Sequence, residues 1–244
     1  SMMQGRSAQS IALANDVVSG IPQDFLTNFA AIVDGYMIFR SEALMRFGRW
    51  EEILKEPQPA KEFPLANALW HFTRGVAHTA LGHRDEARHE RELLQIATTN
   101  VPPDSTKGNN SAADLLAIAA LSLDGEMLAK ENKLDDAVAK LREAVVREDK
   151  LVYDEPPDWI QPVRHTLGAV LLRAGRASEA EAVYRTDLNA YPENGWSLMG
   201  LRDALAAQAR TAEAAGIDKR FRKQWAKADI KPPSTCYCQV LTKR

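Results

Sequence analysis

Apolar positions recur along this chain at helical spacing, in runs that come in pairs. The clearest pair spans residues 161 to 194, QPVRHTLGAVLLRAGRASEAEAVYRTDLNAYPEN. Small residues, Gly168 and Ala180, stand where the two helices of a hairpin must touch. Gly175 marks the turn, and the second amphipathic run ends at Tyr191-Pro192. Anchored on the packing residue of each second helix, the phrase occurs five times, at Ile53, Ala87, Ala137, Ala180 and Ala214, with separations of 34, 50, 43 and 34 residues. The turn position holds Gly48, Gly82, Asn132, Gly175 and Ala209, mostly residues suited to a left-handed helix end. The contact position of the first helix reads Ser41, Gly75, Gly125, Gly168 and Arg202, so the fifth unit departs from the rest.

The two long separations exceed the repeat by 16 and 9 residues, which fall at 102–117 and 152–160. Both stretches carry paired prolines and read as loops between repeats, with Ser111 and Asp114 forming a capping pair for the helix that follows. Trp159 and Tyr153 flank the Pro156-Pro157 loop, where they either plug the gap between repeats or present a second contact surface; the plug is the preferred reading.

The hairpin phrase resembles the tetratricopeptide repeat, whose 34-residue pattern is W-x2-L-G-x2-Y, then A-x3-F, then P. The resemblance covers residues 34 to 228 and implies an all-α fold, an α-α superhelix of about five helical hairpins. The expected layout is an orphan helix over 1–20, the end of an upstream repeat cut away, then the solenoid over 21–231 and a flexible tail over 232–244. Phe221 and Trp225, on one face of the last helix, fit a terminal cap with a polar outside. The phrases MRFGRWEEIL, ALWHFTRGVAHTALGHRDEA and CYC are further similar to a family of large bacterial tetratricopeptide proteins whose preceding part carries histidine-containing helices. The compartment stays open between cytoplasm and periplasm.

In such a superhelix the first helices line a concave face that binds peptides. The family's groove positions map here to Phe72, Val76, Glu126, Lys130, His165, Arg173, Trp196, Met199 and Asp203. Aromatic anchors among alternating charges suit an extended peptide or a docked helix. The expected role is a non-enzymatic scaffold for a protein or peptide partner, in which Trp196→Ala abolishes partner capture without loss of helicity. Clamping of a chaperone's C-terminal carboxylate is disfavoured. The position that holds asparagine in clamping domains reads Val76, Glu126, Ala169 and Asp203, and the two carboxylates would repel the anion.

Composition narrows the classes. The 244 residues carry 31 lysines and arginines against 33 acids, a net charge of -2, which leaves no electrostatic footprint for nucleic acid or an anionic membrane. The longest apolar run, Leu115 to Leu121, is far short of a membrane span. A monomer or a weak homodimer is expected, and no cofactor. No nucleophile elbow, P-loop or dinucleotide glycine pattern occurs. Asp135-Asp136 and Asp154-Glu155 read as helix-start and loop charges. His71, His78, His83, His89 and His165 do not share a helix face at zinc-ligand spacing and read as packed or solvated side chains.

Cys236 and Cys238 are the remaining candidate chemistry. A Cys-x-Cys pair chelates a soft cation through two thiolates, which makes a small-ligand or soft-metal binding protein the alternative function, with further ligands from the missing upstream region. Two ligands are too few alone, and the spacing is poor for an intramolecular disulfide. The tail is expected to be loose, with two free thiols, and a double serine substitution to leave the fold intact.

Overall fold

The computed structural model describes residues 1–239. A short 3₁₀ turn, Met2–Gln4, leads into α1 (Ser7–Ser19). The short helices α2 (Gln23–Asn28) and α3 (Ala30–Val33) follow. Five helical hairpins come next: α4 (Phe39–Arg46) with α5 (Trp50–Ile53), α6 (Pro64–Leu81) with α7 (Arg84–Thr98), α8 (Ala112–Lys130) with α9 (Leu134–Glu148), α10 (Val163–Arg173) with α11 (Ala177–Ala190), and α12 (Gly195–Ala207) with α13 (Thr211–Gln224). Each hairpin packs on the next, α6 against α8, α9 against α10, α11 against α12, and one continuous apolar core runs through the stack. The protein is an all-α helical-repeat solenoid.

All five turn positions adopt the left-handed conformation, with φ of 67° at Gly48, 87° at Gly82, 63° at Asn132, 74° at Gly175 and 59° at Ala209. The fifth hairpin therefore forms despite its alanine turn. The first is abbreviated: α5 lasts a single turn, because Pro57 and Pro59 follow it and cannot continue a helix. The contact glycines open slots rather than only bringing backbones together. A Cβ on Gly168 or Gly200 would overlap the Tyr184 ring, so this fully buried tyrosine is sandwiched between α10 and α12.

The inserted loops are ordered and bind each other. Ser111 Oγ accepts from the Asp114 amide at 3.1 Å, so α8 starts at Ala112, where the expected capping pair places it. Before it, Thr106–Lys107 and Asn110–Ser111 pair as a two-residue antiparallel ribbon. Asn110 donates through Nδ2 to the Val152 carbonyl at 2.9 Å and to Asp158 Oδ2 at 2.7 Å, and accepts from the Val152 amide. Trp159 is buried against Phe72, ring centroids 5.5 Å apart, and acts as the plug, whereas Tyr153 stays exposed.

The two ends of the stack meet. The Met2–Gln4 turn packs on α12, and Trp196 Nε1 donates to the Met2 carbonyl at 2.9 Å across 194 residues. Asp229 accepts from the amides of Ser7 at 2.7 Å and Ala8 at 2.9 Å, capping α1 from the far end of the chain. The Trp225 ring lies against Gly5 and Gly195. The segment expected as an orphan helix is thus packed on both α4 and the last hairpin, and the Phe221–Trp225 face is a joint rather than an open cap.

Gly175 has nothing within 4 Å of where a Cβ would stand, so only its backbone conformation favours glycine. Gly175→Ala is expected to lower, and Ala209→Gly to raise, the unfolding free energy by about 1 kcal/mol each. The midpoint of urea unfolding checks both. Equal midpoints for Ala209→Gly and the parent would contradict the left-handed turn at that position.

Candidate functional site

Residues of α8, α10, α11 and α12 and of the turn after α4 line a channel, and the end of the chain lies in it. Ser234, Thr235, Cys236, Cys238 and Gln239 are all buried, Thr235 at 2% exposure. This corrects the expected flexible tail; residues 240–244 lie outside the described residues. The anchors are specific. Thr235 Oγ1 donates to the His165 carbonyl at 2.6 Å and accepts from the Tyr184 hydroxyl at 2.8 Å. The slot made by Gly168 and Gly200 thus delivers a phenol into the channel for the tail to hold. Arg173 grips Gln239 Oε1 with one guanidinium nitrogen and the Ala129 carbonyl with the other, at 3.1 Å. Tyr237 lies over Gly48, where any Cβ would strike its ring, and edge-on to Trp196 at 6.2 Å.

Six of the nine expected groove residues, Phe72, Val76, Glu126, His165, Trp196 and Met199, are buried. Lys130 is exposed and donates to the Ala80 carbonyl at the end of α6, 2.7 Å away. Asp203 is half-buried and pairs with Arg202. Of this set, Arg173 and Glu126 face the tail through side-chain polar atoms and His165 through its backbone carbonyl.

Beneath the tail runs a buried polar chain that links four helices. Arg46 on α4 lies 3.7 Å from the centroid of the Trp196 ring and reaches His165 Nδ1 at 2.9 Å. His165 Nε2 meets Asp187 Oδ2 at 2.9 Å. Asp187 Oδ2 also accepts from Asn194 Nδ2 at 3.1 Å and from Ser197 Oγ at 2.5 Å. A guanidinium can only donate, so His165 Nδ1 carries no proton and Nε2–H donates to Asp187. Burial holds the His165 imidazole below its ordinary value; Asp187 opposes this, and Arg46 adds to it. Ser197, His165 and Asp187 are the residue types of a hydrolase triad in the wrong order, since the hydroxyl donates to the carboxylate rather than to the imidazole.

The sulfurs of Cys236 and Cys238 are joined in the structure, so the pair does bridge despite its spacing. Cys236 Sγ receives the Cys238 amide at 3.2 Å and lies 3.6 Å from Gln161 Nε2. Opposite them stands Glu126 of α8, and its carboxylate and the two sulfurs lie within 4.8 Å of one another. Burial pushes the Glu126 carboxyl up to about 8, and its Oε2 has no hydrogen-bond partner among the described residues. Loss of both sulfurs removes buried tail contacts, so the double serine substitution now has a fold to disturb. The histidines are dispersed: His71 pairs with Glu90 at 2.7 Å, His78 with His83 at 3.3 Å, and His89 is exposed.

Sequence reasoning missed Arg46, Asp187 and the buried Lys107–Glu42 pair, whose Nζ–Oε1 distance is 3.0 Å. Lys107 sits on the inserted ribbon, and Gly35 makes room for its stem. Charged residues at apolar register positions were the available signal: Glu42 and Arg46 lie four apart on one short helix. No protein-family model matches the chain, and neither a curated protein nor a solved structure matches it.

The unfolded chain takes up a proton at His165 near the ordinary value of 6.5, while the folded imidazole resists it. The stability this contributes is present above that pH and lost as pH falls through it toward the folded value. His165→Gln, which keeps an acceptor for Arg46 and a donor for Asp187, is expected to flatten the fall in Tm between about pH 7 and about pH 5. A slope identical to the parent's would place the titration elsewhere.

Proposed function

We propose that this protein is a non-enzymatic scaffold of the tetratricopeptide kind whose concave channel holds a peptide or protein segment, with its own tail as the resting occupant. The observation that carries this reading is the burial of Ser234, Thr235, Cys236, Cys238 and Gln239 in the channel, anchored on His165, Arg173 and Tyr184 of the α10–α11 hairpin, with Tyr237 against Gly48 and Trp196 of the first and last hairpins. A channel that fixes one turn of chain by a hydroxyl between Tyr184 and a backbone carbonyl, an aromatic ring over Gly48 and an amide on Arg173 has the elements of peptide recognition. The partner in this reading is a protein or peptide segment of similar chemistry, a small hydroxyl residue followed two positions later by an aromatic one. Neither nucleic acid nor membrane is its target. The low and balanced charge supports this, as does the lack, among the described residues, of a helix long and apolar enough to cross a membrane. The non-enzymatic reading is supported by the burial and donor order of Ser197, His165 and Asp187.

A tethered occupant competes at about millimolar effective concentration. Weakening its anchors therefore opens the channel to an external segment. A fluorescent peptide with the sequence of residues 230–239 is expected to bind the full-length Thr235→Ala, Tyr237→Ala protein at least about tenfold more tightly than the parent, which corresponds to about 1.4 kcal/mol of lost tail anchoring. Fluorescence anisotropy reads the difference. Absence of binding to both, with both folded by circular dichroism, sinks the proposal. Trp196→Ala is not the right probe: the indole is wholly buried, and its loss is expected to cost about 3–5 kcal/mol of stability, seen as a large drop in Tm, rather than a contact with the partner.

A further inference from the structure

We propose that Glu126, Cys236 and Cys238 form a zinc site when the two cysteines are reduced, so that the channel wall supplies one ligand and the seated tail the other two. This goes beyond the segment-holding role, and it can fail while that role stands, because the tail is anchored by Thr235, Tyr237 and Gln239 independently of any ion.

The geometry points to a metal in three ways. The three donors converge from two distant parts of the chain, and each is within 4.8 Å of the other two. Around tetrahedral zinc, with Zn–S near 2.3 Å, two thiolates sit about 3.7 Å apart, a separation the sulfurs reach once the bond between them is broken. Secondly, Glu126 is 4% exposed and aimed at the sulfurs, with one carboxylate oxygen lacking any hydrogen-bond partner among the described residues. A buried carboxyl left so is costly, by about 1–3 kcal/mol for an unmet polar atom and more for a charge, unless a cation or a proton is held there. Thirdly, the neighbouring donors suit an electron-rich centre: the Cys238 amide and Gln161 Nε2 both point at Cys236 Sγ. Arg173 donates to the Ala129 carbonyl, about one helical turn along α8 from Glu126.

The ligand set selects the ion. Copper(I) is satisfied by two thiolates and makes no use of a carboxylate, whereas zinc takes sulfur and oxygen together. Three protein ligands leave one tetrahedral position for a further donor. The bonded sulfurs cannot ligate, so the disulfide and the zinc complex exclude each other. Reduction by a phosphine and water converts the disulfide to two thiols and the phosphine to its oxide. Zinc then displaces the two thiol protons and the proton of Glu126, three protons for one ion.

The test uses the full chain, reduced with a phosphine under argon, titrated with zinc against a chromogenic chelator, and separately with cobalt(II) read by its absorption spectrum. One zinc per chain is expected, with thiolate-to-cobalt charge-transfer bands and tetrahedral d–d bands. Glu126→Gln, a neutral isostere that keeps the fold, is expected to weaken zinc by at least tenfold and to change the d–d envelope, and Cys236→Ser, Cys238→Ser to abolish the charge-transfer bands. The oxidised chain is expected to take up none at the site. The proposal is overturned if the reduced chain binds no zinc, if binding survives the double serine substitution (an adventitious ion on the surface, as at His78 and His83), or if Glu126→Gln leaves affinity and spectrum unchanged.

Discussion

A guanidinium buried at the centre of a protein has to be surrounded before the fold is stable, and Arg46 sets that requirement here. It is 2% exposed, stacked on Trp196, and joined through His165 to Asp187. Burying a charge carries a desolvation penalty of several kcal/mol that only close partners offset. Those partners lie on α10, α11 and α12, while Arg46 itself comes from α4. The first and last hairpins are therefore bound to one another through the middle of the molecule. The indole that receives the guanidinium in turn donates to the Met2 carbonyl, which draws the start of the chain into the same cluster.

This changes how the repeats cooperate. In a repeat array each unit normally touches only its neighbours, and stability is close to a sum of unit and interface terms. Here the N-terminal turn, α1 and α4 contact the last hairpin and the tail, and Asp229 supplies the N-cap that α1 lacks locally. End fraying, the usual weak point of an array, is opposed at both ends by the same set of contacts.

The sequence made the hairpins legible because their signals are local and periodic. A left-handed turn is announced by its own residue, at Gly48, Gly82, Asn132 and Gly175, and the spacing was strong enough to locate Ala209, which announces nothing. The capping pair of Ser111 and Asp114 was likewise local. What stayed hidden depends on pairing across the chain. Gly168 was read as a helix contact, but the side chain it admits is Tyr184, whose use becomes plain only with Thr235 in view. Glu126 was read by repeat position as a charge lining the peptide groove, and nothing in the residues around it indicates that two sulfurs far along the chain, at Cys236 and Cys238, lie opposite it. The tail was read as loose; the turn it forms, with hydroxyls at Ser234 and Thr235, is held by partners on the channel wall, and that follows from the channel, not from the segment.

The tail gives the channel and the thiol site a common equilibrium. Its residues occupy the groove, and its two cysteines are, with Glu126, the three donors of the thiol site. Any ligand that binds the seated tail but not the released one adds RT ln(1 + [L]/Kd) to the free energy of seating, about 2.7 kcal/mol at a hundredfold excess over Kd. In the proposed scaffold the same quantity is then added to the work an incoming segment must do to enter. Seating of the tail, the bonding state of Cys236 and Cys238, and access to the Tyr184 and Arg173 anchors are on this argument three views of one balance. The side chain positioned to couple them is Glu126, which belongs to the wall of the channel and faces the tail's sulfurs.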